Sequence, residues 1–460
     1  MKSLKYKFYE VKREFRLKIK EQYIKVKKMI FENEVANRTI KNSGWLVGEK
    51  IFTMALGVFV IAVVARYFGP ENFGQLNYAM AFVALFTVLS TLGLETLTVK
   101  SIVDKDYNEG TILCTSLFLR VFGGIVLTII AVIIIRLIEP KDQNLHVLVL
   151  IMSFTMVLKS MEVIEYWIQA FQKAKISSII RMSSYVITAV LKIILVIFKG
   201  NLIHYALIYM IDAVIIGSAL MISYYKIRDD ISPWKFSLNY AKSILSQSWY
   251  LILSGLMITL YARIDQVMLG SMLPTKTELG VYSAAVQIAE LWYFVPMATI
   301  ISFKPVIMNK KKINEKSYMK SVQLLYTIVA WIGIGFSVFI LLFSKLIVSI
   351  LYGAEFLKAA SILSISVWAG TFAMLGSARS IWLICEGLQK YSMGYVGTGC
   401  ITNVILNYLL IPTLGGYGAA VATLASQITV ALIAPSFFKE TRVSSIMMLK
   451  AFKLEGLLKK

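Results

Sequence analysis

Cysteine, histidine and acidic side chains are scarce in this chain, and each shortage removes a class of function. The three cysteines, Cys114, Cys385 and Cys400, lie in or beside apolar runs without metal-ligand spacing, and read as core or lipid-facing residues. The two histidines, His146 and His204, stand alone, so a His-based metal or proton site is not expected. The first 42 residues lack a continuous apolar run, so no signal peptide is expected there. No P-loop, ATPase cassette, Gly-rich dinucleotide turn or nucleophile motif occurs. An enzyme is therefore not expected, nor a cofactor or a metal.

What remains is apolar. Of 460 residues, 58% are hydrophobic and only 16% charged, with a mean hydropathy of +0.70. A soluble domain is about 45–50% apolar and about 25% charged. The composition is that of an all-α polytopic membrane protein. A net charge of +22 raises nucleic acid as a partner, but its distribution excludes it. Lys and Arg gather in residues 1–42 and in alternate loops, which is the positive-inside pattern.

Residues 1–42 read as a basic amphipathic helix. Leu4, Phe8, Val11, Phe15, Ile19, Val26 and Ile30 recur near helical spacing, with lysines between them. Such a helix suits the anionic cytoplasmic leaflet; a solvated tail or a partner-binding arm is the alternative. A membrane helix needs about 20 apolar residues. Twelve spans meet this: 43–66, 76–99, 112–138, 145–171, 176–198, 202–226, 243–272, 279–303, 318–342, 356–386, 391–411 and 416–438. The basic connections fall at 100–111, 172–181, 226–242, 304–320 and after Lys439. An even count with both termini cytoplasmic puts all of them on one side. The apolar run 339–358 overshoots the ninth span and reads as a re-entrant or interfacial piece.

The stretch from Trp249 to Val286 repeats an earlier one. Trp45 opens the first span, and RYFGPENFGQLNYA (66–79) closes it. Trp249 opens the seventh, and MLGSMLPTKTELGVYSAA (268–285) does the same work. Trp45 and Trp249 are 204 residues apart, and Gly74 and Gly280 are 206 apart. The expected domains are a first six-helix lobe (43–226), a linker (227–242), a second lobe (243–438) and a basic tail (439–460), with a central cavity between the lobes. Parallel repeats about an axis along the membrane normal are one way transporters are built.

Ionisable residues inside spans are costly and mark function by default. Lys50 and Glu49 lie in span one, Arg120 in span three, Lys192 in span five and Arg379 in span ten. Lys159 sits in span four with Glu162 one turn on, close enough to pair. Asp212 and Glu290 are near the middles of spans six and eight. Arg263 and Asp265, two residues apart, project about 200° from each other around a helix. They cannot share one job: Arg263 reads as a substrate contact and Asp265 as an anchor or coupling site. Seven acids (Glu49, Glu95, Glu162, Glu165, Asp212, Asp265, Glu290) roughly match the buried bases and leave H⁺ or Na⁺ coupling open. Trp167, Tyr261, Trp292, Tyr293, Trp368 and Trp382 are available to stack on sugar rings, or to serve as an interfacial belt or packing. Pro296 marks a kink in span eight. Pairing that merely stabilises the bundle is the competing account of the charges.

An ordered set of segments resembles one family. They are NSGWLVGEKIFTMALGVFVIAVVARYFGPENFGQLNYA (42–79), TLGLETL (91–97), RIDQVMLG with ELGVYSAA (263–285), LYGAEFLKAASIL (351–363) and NYLLIPTLGGYGAAVATL (407–424). Together they resemble the Wzx-type polysaccharide-unit flippases of the MATE-like superfamily over residues 42–438. The resemblance implies twelve to fourteen helices in two six-helix lobes, moving an undecaprenyl-diphosphate-linked oligosaccharide between leaflets. It also implies cavity cations that hold the diphosphate, which here points to Lys50, Arg120, Lys159, Lys192, Arg263 and Arg379. Other glycan-assembly membrane proteins are candidate partners. The basic extension 1–42 is not part of that pattern.

The expected function is therefore a lipid-linked oligosaccharide flippase of the bacterial cytoplasmic membrane, working by alternating access. Its rivals are a cation-coupled multidrug exporter on the same fold, a membrane polymerase or glycosyltransferase, and a scaffold for glycan assembly. Short outer loops weigh against the polymerase, and abundant buried Lys and Arg against the exporter of cations.

Overall fold

A computed structural model describes residues 34–228 and 232–453, with side chains from residue 41 onward. The amphipathic segment expected over 1–42 lies outside the described residues up to Glu34. From there its remainder is the start of the first helix, Glu34–Ser90. The described residues form no strand and fourteen α-helices of eight residues or more: α1 Glu34–Ser90, α2 Leu94–Asp104, α3 Glu109–Ile138, α4 Gln143–Leu158, α5 Val163–Ala170, α6 Ala174–Ile197, α7 Leu202–Ile227, α8 Leu238–Met272, α9 Thr277–Leu291, α10 Phe294–Ile313, α11 Glu315–Tyr352, α12 Ala359–Glu386, α13 Lys390–Ile428 and α14 Lys439–Ala451. A short 3₁₀ turn, Lys159–Glu162, joins α4 to α5, and a π-turn, Thr429–Ile433, extends α13.

Ten helical stretches among the described residues are long and apolar enough to cross a membrane, so this is a multi-pass membrane protein. The difference from twelve expected spans lies in two stretches, Lys41–Asp104 of 64 residues and Lys390–Ser436 of 47. At 1.5 Å per residue the first measures about 96 Å, against about 30 Å of hydrocarbon. Each is interrupted inside. Gly69 (φ 68°, ψ 172°) breaks α1 just before Pro70, and Gly415 (φ 55°, ψ −135°) breaks α13 after Pro412. Proline has no N–H to continue the ladder and crowds the preceding turn, while glycine takes the positive φ that other residues resist. No re-entrant piece forms at 339–358: α11 runs unbroken to Tyr352. The kink foreseen near Pro296 is present as a break at Trp292–Tyr293 between α9 and α10.

The two halves of the chain, α1–α7 and α8–α14, meet through the repeated glycines. A Cβ on Gly74 would lie 1.9 Å from the Lys276 carbonyl oxygen, and one on Gly280 would lie 1.9 Å from that of Pro70. α1, just past its break, and α9 thus touch backbone to backbone. Polar contacts surround the crossing. Lys276 Nζ pairs with Glu139 Oε1 at 2.7 Å and donates to the Gly270 carbonyl at 2.5 Å. Glu71 accepts the Lys276 amide at 3.0 Å and the Thr277 hydroxyl at 2.5 Å. Arg66 donates to the last carbonyls of α11, among them Leu351 at 2.9 Å, as a cation suits a helix C-terminus.

The opposite end is organised differently. Tyr240 and Ile244 of α8 are buried with Leu94, Ile112, Trp167 and Tyr224 of the first half. The connection between the halves is pinned to α3: Gly110 N donates to Ser232 Oγ at 2.9 Å and Ser237 N to Thr115 Oγ1 at 3.0 Å. Phe236 packs on Phe118, ring centres 5.0 Å apart.

Candidate functional site

A cavity of about 940 Å³ separates the halves on the side away from the glycine crossing. Its walls are α1 from Leu46 to Ile61, Tyr185 of α6, α9 and α10 from Gln287 to Ile301, Tyr352 of α11 and Met374 of α12. The helical period explains the α1 wall: Val47, Lys50, Met54, Gly57 and Ile61 recur every three or four residues and fall on one face. The polar groups facing it are Lys50, Thr53, Tyr185, Gln287, Glu290, Tyr293 and Tyr352; the remainder is apolar. An apolar groove of about 700 Å³ adjoins it, lined by Trp292, Trp331, Phe336 and Phe339 among others. The two spaces share Ile51, Met54, Val58, Leu291 and Phe294.

Of the six candidate cations, the structure sets Lys50 in this cavity. Arg263 is half-buried on α8, and its charge acts on Glu290 and Asp265. Lys159 faces a separate cavity of about 290 Å³. Counting about 1.5 Å per residue from the helix ends at the glycine crossing, Arg263, Glu290, Lys159 and Lys50 lie about 14, 20, 24 and 28 Å deep. Lys192 stands 5.1 Å from the Tyr205 ring centre.

The other two arginines are occupied by protein. Arg120 is buried, with Nη1 donating to Tyr166 Oη at 3.1 Å and the ring 5.7 Å away. Arg379 is 2% exposed and gives its donors to the carbonyls of Val430 (3.0 Å) and Ala431 and to Ser444 Oγ (3.1 Å). The π-turn leaves those carbonyls without their usual helical partners. The guanidinium thereby fastens α14 to α12 and α13, and faces none of the cavities described.

The acids divide similarly. Glu290 reaches the central cavity. Asp265 is buried and accepts hydrogen bonds from the Tyr282 hydroxyl and from Gln266 N at 2.7 Å, so α8 is tied to α9. Asp212 accepts from Ser184 Oγ at 2.6 Å. Glu162 does not take up Lys159 as expected. It lies 3.6 Å from Arg181 Nη2, which also binds Glu165, because the 3₁₀ turn redirects it toward α6. Arg181 was hidden from sequence reasoning by its place in the basic connection 172–181; α6 begins earlier, at Ala174.

Among the aromatic candidates, Tyr293 lines the cavity and Trp292 stacks on Phe336 at 5.3 Å and 22°. Tyr261 accepts from Ser426 Oγ at 3.2 Å, joining α8 to α13. Trp368 is half-buried on α12 and lines none of the cavities described. Trp167 donates to Glu109 at 2.8 Å, and Trp382 is buried. Among the described residues, no three His, Cys, Asp or Glu side chains converge as metal ligands.

A family model described as polysaccharide biosynthesis protein matches residues 39–307, and a second, MatE, matches residues 251–409. The capsular polysaccharide biosynthesis protein CapF of Staphylococcus aureus is 23% identical over 407 residues, covering 87% of this chain and 98% of that protein. A probable low-salt glycan biosynthesis flippase of Haloferax volcanii is 28% identical over 201 residues, 42% of this chain; the match spans 41% of that protein's length. Among solved structures, the lipid II flippase MurJ in an inward closed conformation aligns with TM-score 0.68 at 15% identity, over 90% of this chain and 92% of that one. A multidrug resistance MATE family transporter aligns at 15% identity over 87% of this chain and 96% of that one, with TM-score 0.69 in its inward-facing conformation. An outward-facing conformation of such a transporter gives 0.57 at 16% identity, over 90% of this chain and 96% of that one. The fold is that of the MurJ and MATE transporters.

Proposed function

The chain belongs to the polysaccharide biosynthesis protein family, and from that premise we propose that it flips an undecaprenyl-diphosphate-linked oligosaccharide across the bacterial cytoplasmic membrane. The observation that carries this reading is the junction of two unlike spaces. A cavity with polar groups opens sideways into a wholly apolar groove through five shared residues. A carrier lipid has the same two parts. Its diphosphate and sugars need donors and counter-charge, whereas its isoprenoid tail needs only apolar contact. The headgroup enters the central cavity while the tail lies along Trp331, Phe336 and Phe339.

In this reading the breaks at Gly69 and Gly415 each turn one long helix into two crossings, giving twelve spans in two six-helix lobes. Both termini and the basic loops are then cytoplasmic, and the cavity opens toward them. The inward-facing MATE transporter's higher TM-score than the outward-facing one's supports a cavity open on one side. Lys50 and Arg263 are the diphosphate contacts, Tyr293 the sugar platform, and Glu290 the acid that balances Arg263 in the empty state. Arg120 and Arg379 serve the bundle instead.

One feature favours a second reading. The central cavity holds one lysine, one glutamate and three tyrosines rather than an excess of cations, a lining that also suits a cation-coupled exporter. Reconstitution separates the two. Vesicles carrying the full chain should move a fluorescent undecaprenyl-diphosphate oligosaccharide between leaflets, and Lys50→Gln should slow this by about tenfold or more, the worth of one charge-assisted hydrogen bond. Uptake of an aromatic cation with no lipid flipping would replace the first reading with the second.

A further inference from the structure

The basic tail expected after Lys439 begins with a folded helix, α14, whose two faces differ. Its inner face is bonded to three membrane helices in succession. Tyr395 of α13 donates to Thr441 Oγ1 at 2.6 Å, and Trp331 of α11 donates to the Ala451 carbonyl at 3.2 Å. Between them Arg379 of α12 and Tyr326 of α11 stand 3.1 and 3.0 Å from Ser444 Oγ. These contacts fix the direction of the helix. Depth is counted at about 1.5 Å per residue from the ends of α11 and α12, and from the break in α13, near the glycine crossing. Tyr395, Arg379 and Trp331 then lie about 30 to 32 Å down, and Tyr326 about 39 Å. The first, middle and last turns of α14 thus meet the bundle at or beyond the far edge of about 30 Å of hydrocarbon. The helix lies along that edge, and its 13 residues are too few to cross it.

The opposite face is exposed and carries two kinds of side chain. Val443, Ile446 and Leu449 follow one another every third residue and are 45%, 45% and 53% exposed. Lys439, Arg442 and Lys453 fall in the same sector, about 120° wide at 3.6 residues per turn. Among the described residues, no carboxylate stands within 4 Å of these three cations. A face turned to water would lack the aliphatic row, and one turned to lipid chains would lack the cations. The mixture matches the boundary between the two, where aliphatic groups sink in and basic groups meet headgroup phosphates. We propose that this face docks on the anionic lipids of the leaflet beside the basic loops, with α14 half-sunk in the plane of the membrane. Each basic residue near such a surface favours anionic over neutral lipid about fivefold. Because the inner face holds α11, α12 and α13, the contact ties that end of the second half to its leaflet. It is independent of what the central cavity carries, so its failure would leave the flippase reading untouched.

The test uses the full chain with Cys114, Cys385 and Cys400 replaced and Ile446→Cys carrying an environment-sensitive fluorophore. The vesicles are phosphatidylcholine with or without phosphatidylglycerol. Nitroxide lipids bearing the quencher just below the headgroup should quench the fluorophore more than lipids bearing it deep in the chain. The shallow nitroxide on phosphatidylglycerol should quench at a lower lipid fraction than the same nitroxide on phosphatidylcholine. Lys439→Gln, Arg442→Gln and Lys453→Gln together should lower that preference at least fivefold. Lys439→Arg with Lys453→Arg should keep it, which separates charge from a folding defect. Water-like emission that neither nitroxide quenches overturns the proposal in favour of a soluble partner. Stronger quenching by the deep nitroxide overturns it by placing α14 among the chains. Equal quenching by the two shallow lipids, or a preference that the three glutamines leave intact, overturns the docking on anionic lipid.

Discussion

Replacing Gly280 with alanine should open the end of the protein that the glycine crossing holds shut. The new Cβ would sit 1.9 Å from the Pro70 carbonyl oxygen. An ordinary carbon–oxygen approach is about 3.3–3.6 Å, so α1 and α9 must part by about 1.5 Å. The obstructing atom belongs to a helix backbone and has no rotamer by which to escape. Overpacking of this kind costs about 1–3 kcal/mol, which moves the ratio of closed to open molecules by about 5- to 150-fold. A chain with Cys114, Cys385 and Cys400 replaced and one cysteine introduced for Gln287, on the cavity wall, reports the change. A membrane-impermeant maleimide added from the side away from the basic loops should label it at least fivefold faster after Gly280→Ala. Gly74→Ala should act alike, and the double variant should fall short of the sum, since both substitutions widen the same gap. Gly394→Ala, where a Cβ meets nothing within 4 Å, should leave labelling unchanged. Equal labelling rates in the Gly280 variant and its parent would refute the reasoning.

Three further outcomes are expected. Lys276→Met removes the partner of Glu139, whose side chain is 23% exposed, and should cost about 1–3 kcal/mol, below the range for a fully buried pair; faster labelling in the same maleimide assay checks it. Arg379→Leu leaves two carbonyls and Ser444 without their donor, so about 1–3 kcal/mol is lost for each acceptor left unpaired and the amount of folded protein in membranes should drop. Normal protein levels with lost transport would instead make Arg379 a substrate ligand. Tyr282→Phe deprives Asp265 of a hydroxyl donor and should lower stability by about 1.5–3 kcal/mol, read as a lower midpoint of thermal unfolding in detergent.

The membrane class, the repeat and the breaks in the helices were all legible, because each is written in local chemistry. Pro70 and Pro412 mark the interruptions, and the 206-residue offset of Gly74 and Gly280 names two residues that touch. The direction a side chain faces was less legible. A charge within an apolar run reveals its depth, but its angle around the helix is fixed by neighbours far away in the chain. Arg120 and Arg379 looked like Lys50 on that basis, and Tyr166 and the π-turn carbonyls took them out of the cavity. Lys276 passed unnoticed as a loop residue. Its position, 206 after Pro70, was the available signal that it stands at the crossing.

The glycine crossing also bears on how such a chain came to be one chain. Each helix presents a glycine to the other's carbonyl, the reciprocal pattern a two-fold axis makes from a single surface. A half-length unit carrying that glycine has the means to pair with its own copy. What a pair of identical units lacks is the neighbouring bond. Glu71 and Thr277 stand three residues before Gly74 and Gly280, so they are equivalent positions, and they bond to each other at 2.5 Å. In two identical copies that place would hold carboxylate against carboxylate or hydroxyl against hydroxyl. Joining the copies in one polypeptide lets the two positions differ, and so turns a self-repelling spot beside the axis into a latch.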